Sequence, residues 1–262
     1  MTPGTDPGPW LRALRSSHDR LVGIVATLDE DGLRRQSYAS EWSVAQVLSH
    51  LGSQAEIFSL WLDAGLSGSE PAGQEAFVPI WDVWNARSPR EQATESVAVN
   101  EALVSRLEAL SPAELESIRL GLFGMTLDAA GLARLRLSEH ALHTWDVAVA
   151  VDPAARVAPD AVALLIDGMP MSMAWLGKKA DAPTVIAITT TDPAREFTLD
   201  TGGVALTPGS SADGAASGSL DLTAEALLRL VYGRVDESAL ASGEVRLSNV
   251  TLSDLRTVFA GF

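Results

Sequence analysis

The chain of 262 residues contains no cysteine. Disulfide bonds, thiolate metal ligands and a cysteine nucleophile are therefore excluded. If thiol chemistry takes place here, the thiol has to arrive as a separate cosubstrate. Histidine is scarce as well, because the whole sequence holds only four: His18, His50, His140 and His143.

Long hydrophobic runs and an excess of positive charge are also missing. No apolar stretch approaches the ~20 residues that a membrane span needs, and the N-terminus lacks the regions of a signal peptide. The net charge is −15, and no basic patch interrupts it, so binding to nucleic acid or to anionic membranes is not expected. We expect a cytoplasmic protein, monomeric or homodimeric, that acts on a small molecule.

Several common catalytic motifs do not occur. The sequence has no glycine-rich phosphate loop, no Gly-x-Ser-x-Gly and no His-Glu-x-x-His. These absences argue against P-loop enzymes, α/β-hydrolases and zincins.

The most informative stretch runs from Arg134 to Ala150. It lacks proline and glycine and is rich in helix-forming residues, so it predicts a helix. Glu139 and His143 are four residues apart and would lie one turn apart on one face, where both reach a single divalent ion. Asp146, three residues further, is placed to accept a hydrogen bond from the ring of a ligating histidine.

A third ligand has to come from another part of the chain. His50 follows a clear helix start, in which Ser43 and Gln46 fit a capping box. We expect a site of His50, Glu139 and His143 with an open position, which is the ligand count of catalytic zinc.

The same residues allow other interpretations. The stripe of the predicted helix that carries Arg136, Glu139, His143 and Asp146 would be an ordinary charged surface if it faced water, because the opposite face is apolar. Spacing also permits a His140/His143 pair to ligate in place of Glu139 and His143. His18, on the apolar seam of the first helix, is interpreted as a packed core residue or as a residue lining the site.

The remaining pattern predicts two domains, 1–155 and 156–262. Four long helices in the first favour an antiparallel bundle, whose core can bring side chains together on a metal. They start at Trp10, after Ser43, after Ser88, and after Thr126 or Asp128; 65–79 is predicted to be a loop. The second domain contains short predicted strands and helices. The strands are predicted at 184–191, 196–200, 204–207, 219–222 and 244–247.

These motifs resemble a known family. Trp42-Ser43 and His50-Leu51 are similar to the DinB/YfiT-like metalloenzyme superfamily, and Glu139-x-x-x-His143-x-x-Asp146 resembles its mycothiol-dependent maleylpyruvate isomerase branch. Three further segments resemble that branch: Trp84-Asn85-Ala86-Arg87-Ser88, Gly124-Met125-Thr126, and the tail from Leu220 to Phe262.

The resemblance implies a fold, a ligand set and an activity. The fold would be a DinB-like four-helix bundle (1–155) followed by a smaller C-terminal α/β domain (156–262). The metal, expected to be Zn²⁺, would be held by His50, Glu139 and His143. Mycothiol would be the thiol cosubstrate, with Asn85 and Arg87 helping to bind it and Arg87 and Asp146 acting in catalysis.

The expected activity is that of an isomerase or S-transferase acting on a small electrophile, with the metal activating the thiol as thiolate. Two other function classes remain open on the same fold. One is a non-catalytic small-molecule binding protein, in which the His/Glu set is structural. The other is a metal-dependent hydrolase that uses metal-bound water in place of the thiol.

Overall fold

The structure is a computed structural model that describes residues 6–39, 41–211 and 215–261. The chain divides into two compact units, the first ending at Ala161 and the second beginning at Val162. The first is mainly helical and the second contains a five-stranded sheet, which confirms the mixed fold class. The division into domains 1–155 and 156–262 stays a prediction, and residues 1–5, 40, 212–214 and 262 of those domains lie outside the described residues.

The helices of the first unit include four long ones and three short ones among the described residues. They are α1 (Gly8–Val25), α2 (Glu30–Arg34), α3 (Val44–Ser67), α4 (Gln74–Asn85), α5 (Pro89–Glu108), α6 (Pro112–Ser117) and α7 (Ala129–Val151). A short antiparallel hairpin, β1 (Leu120–Leu122) and β2 (Met125–Leu127), lies between α6 and α7.

Local capping chemistry sets the starts of the long helices. The Ser43 hydroxyl accepts from the Gln46 amide, and the Gln46 side chain accepts from the Ser43 amide, so the predicted capping box is present. Ser88 begins α5 in the same way. Asp128 caps α7 through the Gly131 amide at 2.8 Å, whereas Thr126 lies in β2.

The four long helices pack against one another. Helix α1 contacts α5 and α7, and α3 contacts the same two helices. Leucine is the commonest residue of the interior, with Leu14, Leu48, Leu51 and Leu137 fully buried. Because α3 packs directly on α7, residues on the facing sides of these two helices are brought together.

The segment predicted as a loop at 65–79 is partly helical. Helix α3 runs on to Ser67, and α4 begins at Gln74 and continues through Pro79. Pro79 removes one backbone donor, but the Trp61 indole donates to the Ala72 carbonyl at 3.1 Å and contacts Phe77, which fixes the start of α4 against α3.

The second unit is a mixed sheet with helices. The strands are β3 (Val185–Thr191), β4 (Arg195–Asp200), β5 (Ala205–Pro208), β6 (Gly218–Thr223) and β7 (Val245–Ser248), in the order β5-β4-β3-β6-β7. The β3–β6 pair is parallel and the other pairs are antiparallel. All five predicted strands are therefore confirmed.

Helix α8 (Pro159–Leu165) begins just before the division between the units. The helices that follow it are α9 (Met169–Leu176), α10 (Ala224–Val231), α11 (Glu237–Ala241) and α12 (Leu252–Val258), with a 3₁₀ turn at Ile166–Gly168. No helix in the described part of the chain combines the length and apolar character needed to cross a bilayer.

Candidate metal centre

Helices α3 and α7 bring three potential ligands to one point. His50 comes from α3, and Glu139 and His143 come from α7. The Nε2 atom of His50 lies 3.6 Å from Glu139 Oε2, and Nε2 of His143 lies 3.7 Å from the same oxygen. All three ligand atoms lie within 4.8 Å of one another, as expected for groups that share one ion.

The His143 ring is held by a buried carboxylate. Its Nδ1 lies 2.8 Å from Asp146 Oδ2, and Asp146 is fully buried. This contact leaves Nε2 directed at Glu139 and selects the tautomer with the proton on Nδ1. The hydrogen bond predicted from the i, i+3 spacing is present, while a catalytic role for Asp146 stays a prediction.

The electrostatics of the three side chains suit metal binding. Burial raises the pKa of the Glu139 carboxyl, but the His50 and His143 imidazoles and the Gln54 amide outweigh burial and hold that pKa well below its usual range. Burial lowers the pKa of the His50 imidazole more than Glu139 raises it. Glu139 is therefore ionised and His50 neutral at pH 7, the forms that bind metal.

The residues fit a divalent cation by their donor set. Among the described residues, His50 Nε2 has no hydrogen-bond partner although it is buried, and such a nitrogen is costly unless something binds it. Two imidazoles and one carboxylate make a three-ligand set typical of catalytic zinc. The His50 and Glu139 side chains as a whole are 25% and 28% exposed.

The charged stripe of α7 does not face water. Arg136 and Asp146 on that stripe are 1% and 0% exposed, and His143 is also buried. The alternative that the stripe is an ordinary charged surface is therefore wrong, because α7 is covered on both faces.

The sequence did not single out the glutamine beside Glu139. Gln54 Nε2 donates to Glu139 Oε2 at 2.6 Å, and Arg136 donates to Gln54 Oε1 at 2.7 Å. Gln54 is four residues after His50 and so one turn away on the same face of α3. That spacing was the available signal, but a single glutamine beside a histidine is too common to predict a contact.

His140 lies with His18 rather than with the three candidate ligands. Its Nδ1 is 2.8 Å from Ser17 Oγ, and its ring centroid is 6.1 Å from that of His18. His18 is 1% exposed, and its Nε2 lies 3.0 Å from Glu101 Oε2. This geometry favours Glu139 over His140 as a ligand and supports the interpretation of His18 as a packed, hydrogen-bonded core residue.

This buried pair predicts a loss of stability in mild acid. Burial lowers the pKa of His18 more than Glu101 raises it, and burial with the nearby Arg136 charge lowers the pKa of His140 well below 6.5. As the pH falls below 6.5, the unfolded chain binds protons that the folded histidines do not, so the free energy of unfolding falls.

In His140→Asn, the free energy of unfolding should depend less steeply on pH, by up to ~1.4 kcal/mol per pH unit, the effect of one proton. Asparagine keeps a polar atom beside Ser17 but does not titrate. Urea unfolding of the metal-free protein at pH 6.5 and 5.5 measures the difference. Equal slopes for the wild type and the variant would contradict it.

Asn85 is the last residue of α4, and Arg87 follows two residues later. Asn85 is exposed at the end of α4. The Arg87 guanidinium stacks 3.9 Å from the Trp84 ring centroid and pairs with Glu95 at 2.7 Å. The buried Trp84 ring packs on Gly52 and its indole donates to Glu56.

Gly52 and Glu56 point roughly away from His50 and Gln54 on the α3 helix. The contacts of Arg87 thus do not connect it to the three candidate ligands. Thiol binding by Asn85 and Arg87 and a catalytic role for Arg87 stay predictions.

Three comparisons place the chain among known proteins. Residues 14–148 match the family model described as the mycothiol maleylpyruvate isomerase N-terminal domain. Two uncharacterized proteins, from two strains of Mycobacterium tuberculosis, are each 30% identical over 156 residues, which is 56% of this chain and 58% of the relative. The chain thus spans less than two thirds of the length of these curated relatives.

The similarity to solved structures covers more of the chain than these sequence matches do. Crystal structures of the mycothiol-dependent maleylpyruvate isomerase and of a histidine-to-alanine mutant of it each align with a TM-score of 0.68, at 12% identity, over 93% of both chains. At this identity the likeness shows a shared fold.

Proposed function

The chain belongs to the family of the mycothiol maleylpyruvate isomerase N-terminal domain, and from that membership we propose that it is a metal- and mycothiol-dependent isomerase or S-transferase acting on a small electrophile. The observation that carries the proposal is the convergence of His50, Glu139 and His143 within 4.8 Å. The four long helices would form the bundle of the DinB type around this site. The protein would act on its substrate in solution, as a monomer or homodimer.

The proposed ligands are Nε2 of His50, the Glu139 carboxylate and Nε2 of His143. A divalent ion held there, for which we propose Zn²⁺, would supply a Lewis acid that lowers the pKa of a bound thiol, so that thiolate forms near neutral pH. Asp146 fixes the His143 ring through the 2.8 Å contact to Nδ1. Trp42 lies beside both imidazoles, with its ring centroid 5.0 Å from that of His50 and 6.2 Å from that of His143.

The absence of cysteine makes a separate thiol necessary for this chemistry. The thiolate sulfur would add to an electron-poor carbon of an unsaturated acid, forming a C–S bond and moving the π electrons onto the conjugated carbonyl. Rotation about the new single bond, followed by expulsion of the thiolate, gives the geometric isomer. Protonation without expulsion gives the thioether, which is the S-transferase outcome.

A thiol-omission assay tests the proposal. Zinc-loaded protein is incubated with an unsaturated acid, an epoxide or a quinone, each with and without mycothiol. We expect turnover of at least one electrophile only when both zinc and mycothiol are present. Turnover that persists without thiol would replace the proposal with metal-dependent hydrolysis. Ligand binding without turnover, unchanged in His143→Ala, would favour a binding protein.

A further inference from the structure

A chain of hydrogen-bonded polar side chains leads from α5, where it is buried, to the half-buried Gln54 and Glu139. The Arg136 guanidinium on α7 donates to the Leu51 carbonyl at 3.1 Å and to Asn100 Oδ1 on α5. It also donates to Gln54 Oε1 at 2.7 Å, and Gln54 Nε2 donates to Glu139 Oε2 at 2.6 Å. Three helices thus share one hydrogen-bonded network that ends at a proposed metal ligand.

The network has a fixed direction. A guanidinium only donates hydrogen bonds, so the oxygen of the Gln54 amide has to face Arg136 and its NH₂ group has to face Glu139. The reversed amide would put its NH₂ against the guanidinium and its oxygen against a carboxylate. Arg136 therefore determines which group Gln54 presents to Glu139.

The donor reaches the oxygen that faces the imidazoles. Glu139 Oε2 lies 3.6 and 3.7 Å from Nε2 of His50 and of His143, and the same oxygen accepts from Gln54. A carboxylate oxygen has a second lone pair, so it can accept this bond and still bind an ion. Without Gln54, the 28% exposed Glu139 side chain would be free to turn toward solvent.

We infer that Gln54 is a positioning residue: it holds the Glu139 carboxylate toward His50 and His143 and thereby raises the affinity of the site for a divalent metal. This inference rests on the proposed function. Loss of such a partner of a metal ligand typically weakens metal binding about 10- to 100-fold, and we expect a loss in that range for Gln54→Met.

The test compares Gln54→Met with Gln92→Met in the full chain. Gln54 is half-buried. Gln92 is a buried glutamine, 5% exposed, and its Nε2 donates to the Trp84 carbonyl at 3.2 Å, but it belongs to neither the network nor the site. The dissociation constant for Zn²⁺ is measured by competition with a chromophoric chelator. Gln54→Met should bind Zn²⁺ about 10- to 100-fold more weakly than the wild type, and Gln92→Met should match the wild type.

A second measurement separates positioning from general destabilisation. In a Glu139→Ala background, Gln54→Met should have no further effect, because the group on which it acts is gone. If Gln54→Met weakens Zn²⁺ binding equally in both backgrounds, the inference is overturned. Wild-type Zn²⁺ affinity in Gln54→Met would also overturn it. Either result would leave the metal site standing. Failure of the wild type to bind Zn²⁺ would overturn the proposed function together with the inference.

Discussion

His143→Ala should lose bound zinc, whereas His140→Ala should retain it. The two histidines lie three residues apart on α7, but Nε2 of His143 faces Glu139 at 3.7 Å and the His140 ring contacts Ser17 and His18. Removing a direct ligand should weaken zinc binding by more than about 100-fold, the upper end for loss of an outer partner.

Elemental mass spectrometry of protein purified without a histidine tag measures the zinc content per chain, and chelator competition gives the affinity. The wild type should contain about one ion per chain, the number that a single three-ligand site holds. His50→Ala and Glu139→Ala should resemble His143→Ala. Far-ultraviolet circular dichroism should change little in each variant, because the leucine-rich interior does not depend on these side chains.

His140→Ala is a demanding control because His140 is completely buried. Its replacement perturbs packing as much as a change at His143. Zinc loss in His143→Ala but not in His140→Ala therefore cannot be attributed to a general disturbance of α7. Strong zinc loss in His140→Ala, together with retention in Glu139→Ala, would instead assign the site to the His140/His143 pair.

The parts of the fold that depend on local chemistry could be predicted from the sequence. Ser43 and Ser88 mark helix starts because their hydroxyls satisfy amides within the next turn. The β-branched run at 184–191 marks the central strand of the sheet. Helix α4 could not be predicted in the same way, because Pro79 is a local signal against a helix and the contacts that stabilise α4 come from α3.

The candidate site also combines residues whose geometry follows from local sequence with a residue that only a contact between helices brings in. Glu139, His143 and Asp146 lie on one helix, so their mutual geometry follows from helical spacing alone. His50 is 89 residues before Glu139 in the sequence, and its inclusion depended on the order of motifs in a resembling family. Contact between α3 and α7 brings His50 to the other two, and no local pattern encodes that contact.

The buried polar network could not be predicted, because each member is ordinary by itself. Gln54, Asn100 and Arg136 come from three helices, and any of them would usually be assigned to the surface. Arg136 is instead 1% exposed. Burial lowers its pKa to about 10, which still leaves the guanidinium charged at neutral pH. A buried cation of this kind requires partners that only the assembled helices supply.

Arg136→Met should destabilise the protein by roughly 1.5–3 kcal/mol, the usual contribution of hydrogen bonds that a charged group makes. The variant leaves Gln54 Oε1 and Asn100 Oδ1 without the donor they share, and it leaves the ionised Glu139 without the nearby positive charge of Arg136. Urea unfolding in the presence of a chelator measures the change, because metal release then contributes nothing.

Arg15→Met provides the matched control. Arg15 donates hydrogen bonds to two carboxylates, those of Glu101 at 2.6 Å and Glu108 at 2.8 Å, so by its number of ion pairs it should matter more than Arg136. All three side chains are 25–48% exposed, however, and ion pairs screened by water contribute at most about 1 kcal/mol. A larger loss in Arg15→Met than in Arg136→Met would mean that surface ion pairs, rather than the buried network, hold these helices together.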